Sequence, residues 1–108
     1  MEVLSVTGGA PLFGTIPVHG AKNSILPVLA AAVVCRSRCV LHNCPDIADV
    51  TNTIQILEHL GCSVRRTGGT LHVDTRSVTR CDVPLALAGR MRSSILFLGA
   101  LTARTGCA

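Results

Sequence analysis

The chain is predicted to fold as an α/β (α+β) unit closed by a β-hairpin. Three observations carry that expectation. Short β-branched stretches alternate with longer apolar runs. Residues 46–60 repeat apolar side chains at helical spacing. Two short strand-like stretches flank Thr67-Gly68-Gly69, where glycines supply the positive φ that a tight hairpin turn requires.

Taken in order, Val3 to Val6 and Thr15 to Val18 read as strands, with Gly8-Gly9 and Pro11 marking the turn between them. The apolar run from Ile25 to Cys35 reads as a helix capped by Asn23 or Ser24, with Pro27 tolerated in its first turns. It is apolar on nearly every side, which predicts burial. Val40 to His42 is a short strand, and Asn43-Cys44-Pro45 turns the chain. Asp46 is placed to cap the clearest helix, in which Ile47, Val50, Ile54, Leu57 and Leu60 form the apolar face. Asp49, Asn52, Gln55 and Glu58 fall on or near the other face, and Gly61 is the stop. Ser63 to Arg66 and Thr70 to Val73 make the hairpin. A last helix is expected from about Leu85 to Arg104, with Met91, Ile95, Leu98 and Leu101 on its core face and Gly106 at its end. No internal repeat or low-complexity segment is evident. Nothing follows to cover the last helix, so the chain reads as a fragment cut before the next strand.

Composition narrows the function classes. At 108 residues the chain is one small domain or a piece of a larger one. A hydrophobic fraction of 48% and a mean hydropathy of +0.50 predict a packed core rather than disorder. Two Phe and no Trp or Tyr argue against a stacking platform for single-stranded nucleic acid. The net charge of +4 comes from arginines spread along the chain, which suits small anionic substrates better than a nucleic-acid patch. The N-terminus has no export signal, and the run from Ile25 to Cys35 is too short to span a bilayer, so no membrane partner is expected. The expected setting is cytoplasmic, with the six cysteines as reduced thiols. Cys35, Cys39, His42 and Cys44 lack the two-residue spacing of a structural zinc knuckle and read as buried soft hydrophobes, so no metal is expected.

Gly20-Ala21-Lys22-Asn23 stands where a β-branched stretch meets the first apolar run. A lysine there joins the unpaired N–H groups and positive dipole end of a helix start, which together favour a phosphorylated or carboxylated ligand. Many strand-to-helix turns carry a Gly and a Lys without chemical purpose, so the motif alone is a moderate signal.

Gly20-Ala21-Lys22-Asn23-Ser24-Ile25-Leu26-Pro27 resembles the opening motif of the UDP-N-acetylglucosamine 1-carboxyvinyltransferase family, the enolpyruvyl transferases that begin peptidoglycan precursor synthesis. The likeness runs on through Asn43-Cys44-Pro45-Asp46-Ile47-Ala48-Asp49-Val50, Leu60-Gly61-Cys62-Ser63-Val64, Met91-Arg92-Ser93-Ser94-Ile95-Leu96 and Ala103-Arg104-Thr105-Gly106. The related shikimate-pathway transferase usually has Gly-Ser-Lys-Ser at the first motif. Ala21 and Asn23 favour the sugar-nucleotide enzyme.

The resemblance implies a fold of βαβαββ units in an inside-out α/β barrel, present here incompletely. Residues 1–19 would pack with a missing second domain, and 20–108 would form the first unit and the start of the next. It implies phosphoenolpyruvate and UDP-N-acetylglucosamine as substrates and no cofactor. Lys22 matches the family's phosphoenolpyruvate-contacting lysine and Asn23 the adjacent binding asparagine. Arg92 matches an arginine on the sugar-nucleotide side, although a lone helix arginine is more often merely solvated. Asp49 reads as an exposed helix acid. The family's reactive cysteine lies on a loop beyond Ala108, Cys107 is not that residue, and no catalytic residue is expected in the fragment itself. Other readings are a non-catalytic binding module of the same fold, a shikimate-pathway relative and a small basic nucleic-acid-binding domain.

Overall fold

The computed structural model describes residues 1–108. Helix α1 spans Lys22–Cys35, strand β1 Arg38–Leu41, helix α2 Ala48–His59, and strands β2 and β3 Ser63–Thr67 and Thr70–Asp74. A one-turn helix α3 (Leu85–Ala88), a 3₁₀ turn (Arg92–Ile95) and helix α4 (Leu96–Thr105) complete the chain. No helix is long and apolar enough to cross a membrane.

The three strands form one antiparallel sheet in the order β1-β3-β2. Its register pairs Val40 with His72 and His72 with Arg65. One face carries Leu71 and Val73, fully buried, with Cys39, Leu41 and Val64 packed beside them. The helices cover that face. Leu29 and Val33 of α1, Val50, Ile56 and Leu57 of α2, and Phe97 and Leu101 of α4 close the core. The other face shows Arg38, Val40 and Arg65 to solvent. The hairpin turns at Gly68, whose φ of +57° lies in the left-handed region.

Several expectations are corrected. The strands at Val3 to Val6 and Thr15 to Val18 do not form, and residues 1–19 are exposed without regular structure. A β-branched stretch becomes a strand only when another strand takes its backbone hydrogen bonds, and none lies alongside. Phe13 is left 94% exposed. Helix α1 buries one face rather than its whole surface: Val28 and Val34 remain exposed. Its N-cap is Ala21, with no side-chain cap from Asn23 or Ser24. Nor does Asp46 cap α2. Ile47 is the N-cap residue, which leaves Asp46 one position too early. Its carboxylate instead pairs with Arg66 Nη1 at 3.4 Å.

The long last helix is broken. Gly89 ends α3, and Met91 is extended at φ −153°, ψ 141°. The extended residue sends its side chain into the core, where Met91 Sδ lies 3.6 Å from Thr53 Oγ1. The Ser94 hydroxyl sits 2.9 Å from the carbonyls of both Ala88 and Met91 and bridges the break. After this shift the buried residues of α4 are Phe97, Ala100 and Leu101, while Ile95 and Leu98 are 66% and 54% exposed. Finally, not all six cysteines are free. Cys81 and Cys107 are bridged, with Cα atoms 6.0 Å apart, because α4 returns its end to the segment after β3. Cys35, Cys39, Cys44 and Cys62 are thiols, and burial pushes the Cys62 thiol up to about 11.

Two arginines lock the helix ends. Arg36 donates from Nη2 to the Arg104 carbonyl at 2.9 Å, and Arg104 donates from Nη1 to the Val33 carbonyl at 2.7 Å. Each cation thus meets orphan carbonyls in the last turn of the other's helix, where the dipole is negative.

Candidate anion-binding cleft

Gly20 places the start of α1 against the turn at Asn43. A Cβ at Gly20 would collide with the Asn43 carbonyl, so this glycine permits a close backbone approach. Asn43 itself is left-handed at φ +56°. The turn is held by the Cys44 N–H donating to the Gly69 carbonyl at 2.7 Å and by Arg66 Nη2 donating to the Cys44 carbonyl at 3.2 Å. The hairpin therefore fixes where α1 begins. Pro27 has no N–H, so the Asn23 carbonyl cannot receive its usual intrahelical bond.

The start of α1, the first turn of α2 and the break before α4 enclose a cleft of about 420 Å³. Its lining includes Lys22, Asn23, Asp49, Arg90, Arg92 and Ser93. Lys22 Nζ lies 2.6 Å from Asp49 Oδ2, with the lysine side chain 55% and the aspartate 23% exposed. Arg90 donates from Nη1 to Gln55 Oε1 at 3.2 Å. Three cations against one carboxylate leave the cleft positive. A second depression of about 390 Å³ shares Asn23, Arg92 and Ser93 and continues over Pro27 and Ile95. Ser93 Oγ is the only buried side-chain oxygen or nitrogen without a hydrogen-bond partner.

All three sequence-derived site residues, Lys22, Asn23 and Arg92, line one cleft. Asp49, which the sequence shows only as a helix acid, is brought directly onto Lys22. Arg90 is absent from the sequence reading. In a continuous helix, residues 90 and 92 diverge by about 200°, so they would not share a face. In extended backbone, residues two apart lie on the same side, and the intervening Met91 turns to the core. Gly89 was the available signal of a helix stop there. Cys35, Cys39, His42 and Cys44 do not gather. Cys35 is exposed, Cys44 buried, and His42 Nδ1 sits 3.3 Å from Thr70 Oγ1. No three metal-binding side chains converge anywhere in the chain.

An electropositive cleft at a helix start suits a small anion, and comparison with known proteins gives it a context. Residues 6–108 match the family described as EPSP synthase (3-phosphoshikimate 1-carboxyvinyltransferase). The chain is 48% identical over 104 residues to UDP-N-acetylglucosamine 1-carboxyvinyltransferase 2 of Caldanaerobacter subterraneus subsp. tengcongensis, covering 96% of this chain and 25% of that protein. It is 41% identical over 108 residues to UDP-N-acetylglucosamine 1-carboxyvinyltransferase of Shewanella amazonensis, covering 100% of this chain and 26% of that protein. The crystal structure of the enolpyruvyl transferase NikO from Streptomyces tendae superposes with a TM-score of 0.79 at 32% identity, covering 92% of this chain and 23% of that one. The chain thus spans about a quarter of the length of the curated relatives it matches. Its fold is that of one part of an enolpyruvyl transferase, and the chain belongs to the EPSP synthase family of carboxyvinyl transferases.

Proposed function

We propose that this chain forms one wall of an active site that transfers enolpyruvyl from phosphoenolpyruvate to the 3-hydroxyl of UDP-N-acetylglucosamine. This would be the first committed step of peptidoglycan precursor synthesis, in the cytoplasm. The observation that carries the reading is the gathering of Lys22, Asn23 and Arg92 in one positive cleft. Both substrates are polyanions, and preorganised positive charge stabilises the charge that moves onto phosphate in the transition state. Lys22 takes the phosphoenolpyruvate side, with Asn23 beside it as a donor and acceptor. Arg92 takes the sugar-nucleotide side, where its planar fork suits phosphate or carbonyl oxygens. The exposed apolar arm of residues 1–19 is assigned to contact with a second domain. The names of the relatives and the pair Ala21 and Asn23 favour the sugar nucleotide over 3-phosphoshikimate as acceptor.

The test joins residues 1–108 to the remaining three quarters of the Caldanaerobacter relative and measures phosphate release with both substrates. Turnover dependent on UDP-N-acetylglucosamine is expected. Turnover only with shikimate 3-phosphate would overturn the acceptor assignment, and none with either would overturn the enzyme reading. The 108-residue chain alone is expected to release no phosphate, because one wall leaves its charges in water, where a contact pair is worth only about 1 kcal/mol.

A further inference from the structure

The arginines of this chain divide by what they meet. Arg38 and Arg76 are paired with Asp74, and Arg66 with Asp46. Arg36 and Arg104 reach helix-end carbonyls. Arg90 is different. Its side chain makes one hydrogen bond, to the neutral amide oxygen of Gln55. A carboxylate partner would cancel the charge as it fixed the side chain, whereas an amide fixes it and leaves the charge whole. One N–H is used, and the remaining guanidinium donors are open to the cleft that Lys22 lines. The extended conformation of Met91 aims Arg90 and Arg92 to one side, and only Arg92 also borders the neighbouring depression. Helix α2 therefore anchors two of the cations that line the cleft: Asp49 holds Lys22, and Gln55 holds Arg90.

We propose that Arg90, aimed by Gln55, is a further anion-contacting residue, and that it and Lys22 together grip the phosphate group of the ligand within the cleft. The assignment rests on the reading of the cleft as a phosphoenolpyruvate site. Gln55 is a positioning residue, and its amide character is the feature that matters.

Titration of the 108-residue chain with millimolar phosphoenolpyruvate, and separately with inorganic phosphate, followed by backbone amide shifts, tests this. Arg90→Gln is expected to weaken binding of both about fivefold, the size of one contact pair in water, and to flatten its salt dependence. Gln55→Glu should weaken it similarly, since a new carboxylate would neutralise Arg90 without removing it. Arg38→Gln, on the far face of the sheet, should change nothing. Binding that Lys22→Ala abolishes but both Arg90→Gln and Gln55→Glu leave intact would overturn the role of Arg90 alone. Absence of phosphoenolpyruvate binding by the unaltered joined enzyme as well would overturn the cleft as an anion site and Arg90 with it.

Discussion

The two ends of α1 use cations in opposite ways. At its C-terminus, Arg36 and Arg104 spend their donors on carbonyl oxygens, and the Cys81–Cys107 bridge ties the end of α4 to the chain after β3. Positive charge there agrees with the helix dipole and stabilises the fold. At its N-terminus the first turn holds no acid of its own, and Lys22 stands where the dipole is already positive. That placement opposes stability, and only Asp49, from another helix, offsets it. Arg90 and Arg92 add to the same field without any carboxylate partner. Where charge works against the fold, a ligand is the better account of it. One end of the molecule is stapled, and the other is left electrostatically unfinished.

Lys22→Ala separates the two ends most sharply. In the joined enzyme it should lower turnover by roughly 100-fold or more, because a methyl group cannot follow charge into the transition state. In the isolated chain it should shift unfolding free energy by less than about 0.5 kcal/mol, since an exposed ion pair is lost while a dipole conflict is relieved. Loss of turnover accompanied by loss of folding would show that the N-terminal end is structural after all.

The stapled end should respond in the reverse sense. Reducing the Cys81–Cys107 bridge, or replacing Cys107 with Ser, opens a closed loop with a sequence separation of 26. The chain-entropy model puts that at about 3.5 kcal/mol. A fall in the urea midpoint, with anion binding retained below it, is the expected result. An unchanged midpoint would mean that the bridge is not formed in solution.

Arg104→Ala should cost about 2 kcal/mol, the loss of charge-assisted bonds to the Val33 and Arg76 carbonyls, and should leave anion binding unaltered. Chemical denaturation beside the phosphoenolpyruvate titration measures both. Weakened binding in this variant would show that the two ends are coupled.

The smallest effect is a pH dependence. The His59 side chain, 3.0 Å away, holds the Asp82 carboxyl below its ordinary value of 3.8, and hydrogen bonds from Arg76 do the same for Asp74. A carboxylate with a depressed folded value contributes stability above its unfolded value and loses it as pH falls through the folded one. Denaturant midpoints should therefore hold near pH 5 and fall progressively below about pH 4. Asp82→Asn should remove part of that slope. A slope unchanged in this variant would show that the His59 contact contributes nothing.

How much was legible follows the range of each signal. The hairpin and α2 could be read because turn glycines and 3.6-residue periodicity are local. The place of Lys22 and Asn23 at a helix start could be read from Gly20 to Asn23, although the reason for the glycine is the Asn43 carbonyl pressed against it, a contact across 23 positions. The break in the expected last helix was illegible because Gly89 is a weak breaker. The burial of Met91 against Thr53 decided the matter, and with it the presence of Arg90 in the cleft. The N-terminal strands failed for the same reason in reverse: their residues favour extended backbone, but a strand is a property of a pair.

The sequence by itself determined the order of the principal elements, the hairpin, the position of Lys22 and Asn23 at a helix start, and the family, because each is encoded in neighbouring residues. Only the tertiary structure decided which face of α1 is buried, which arginines close helix ends and which stay open, that Cys81 meets Cys107, and that Asp49 and Gln55 reach across to Lys22 and Arg90. Those outcomes depend on which distant backbones come within a few ångströms of each other. Packing sets that distance, and no local pattern of residues records it.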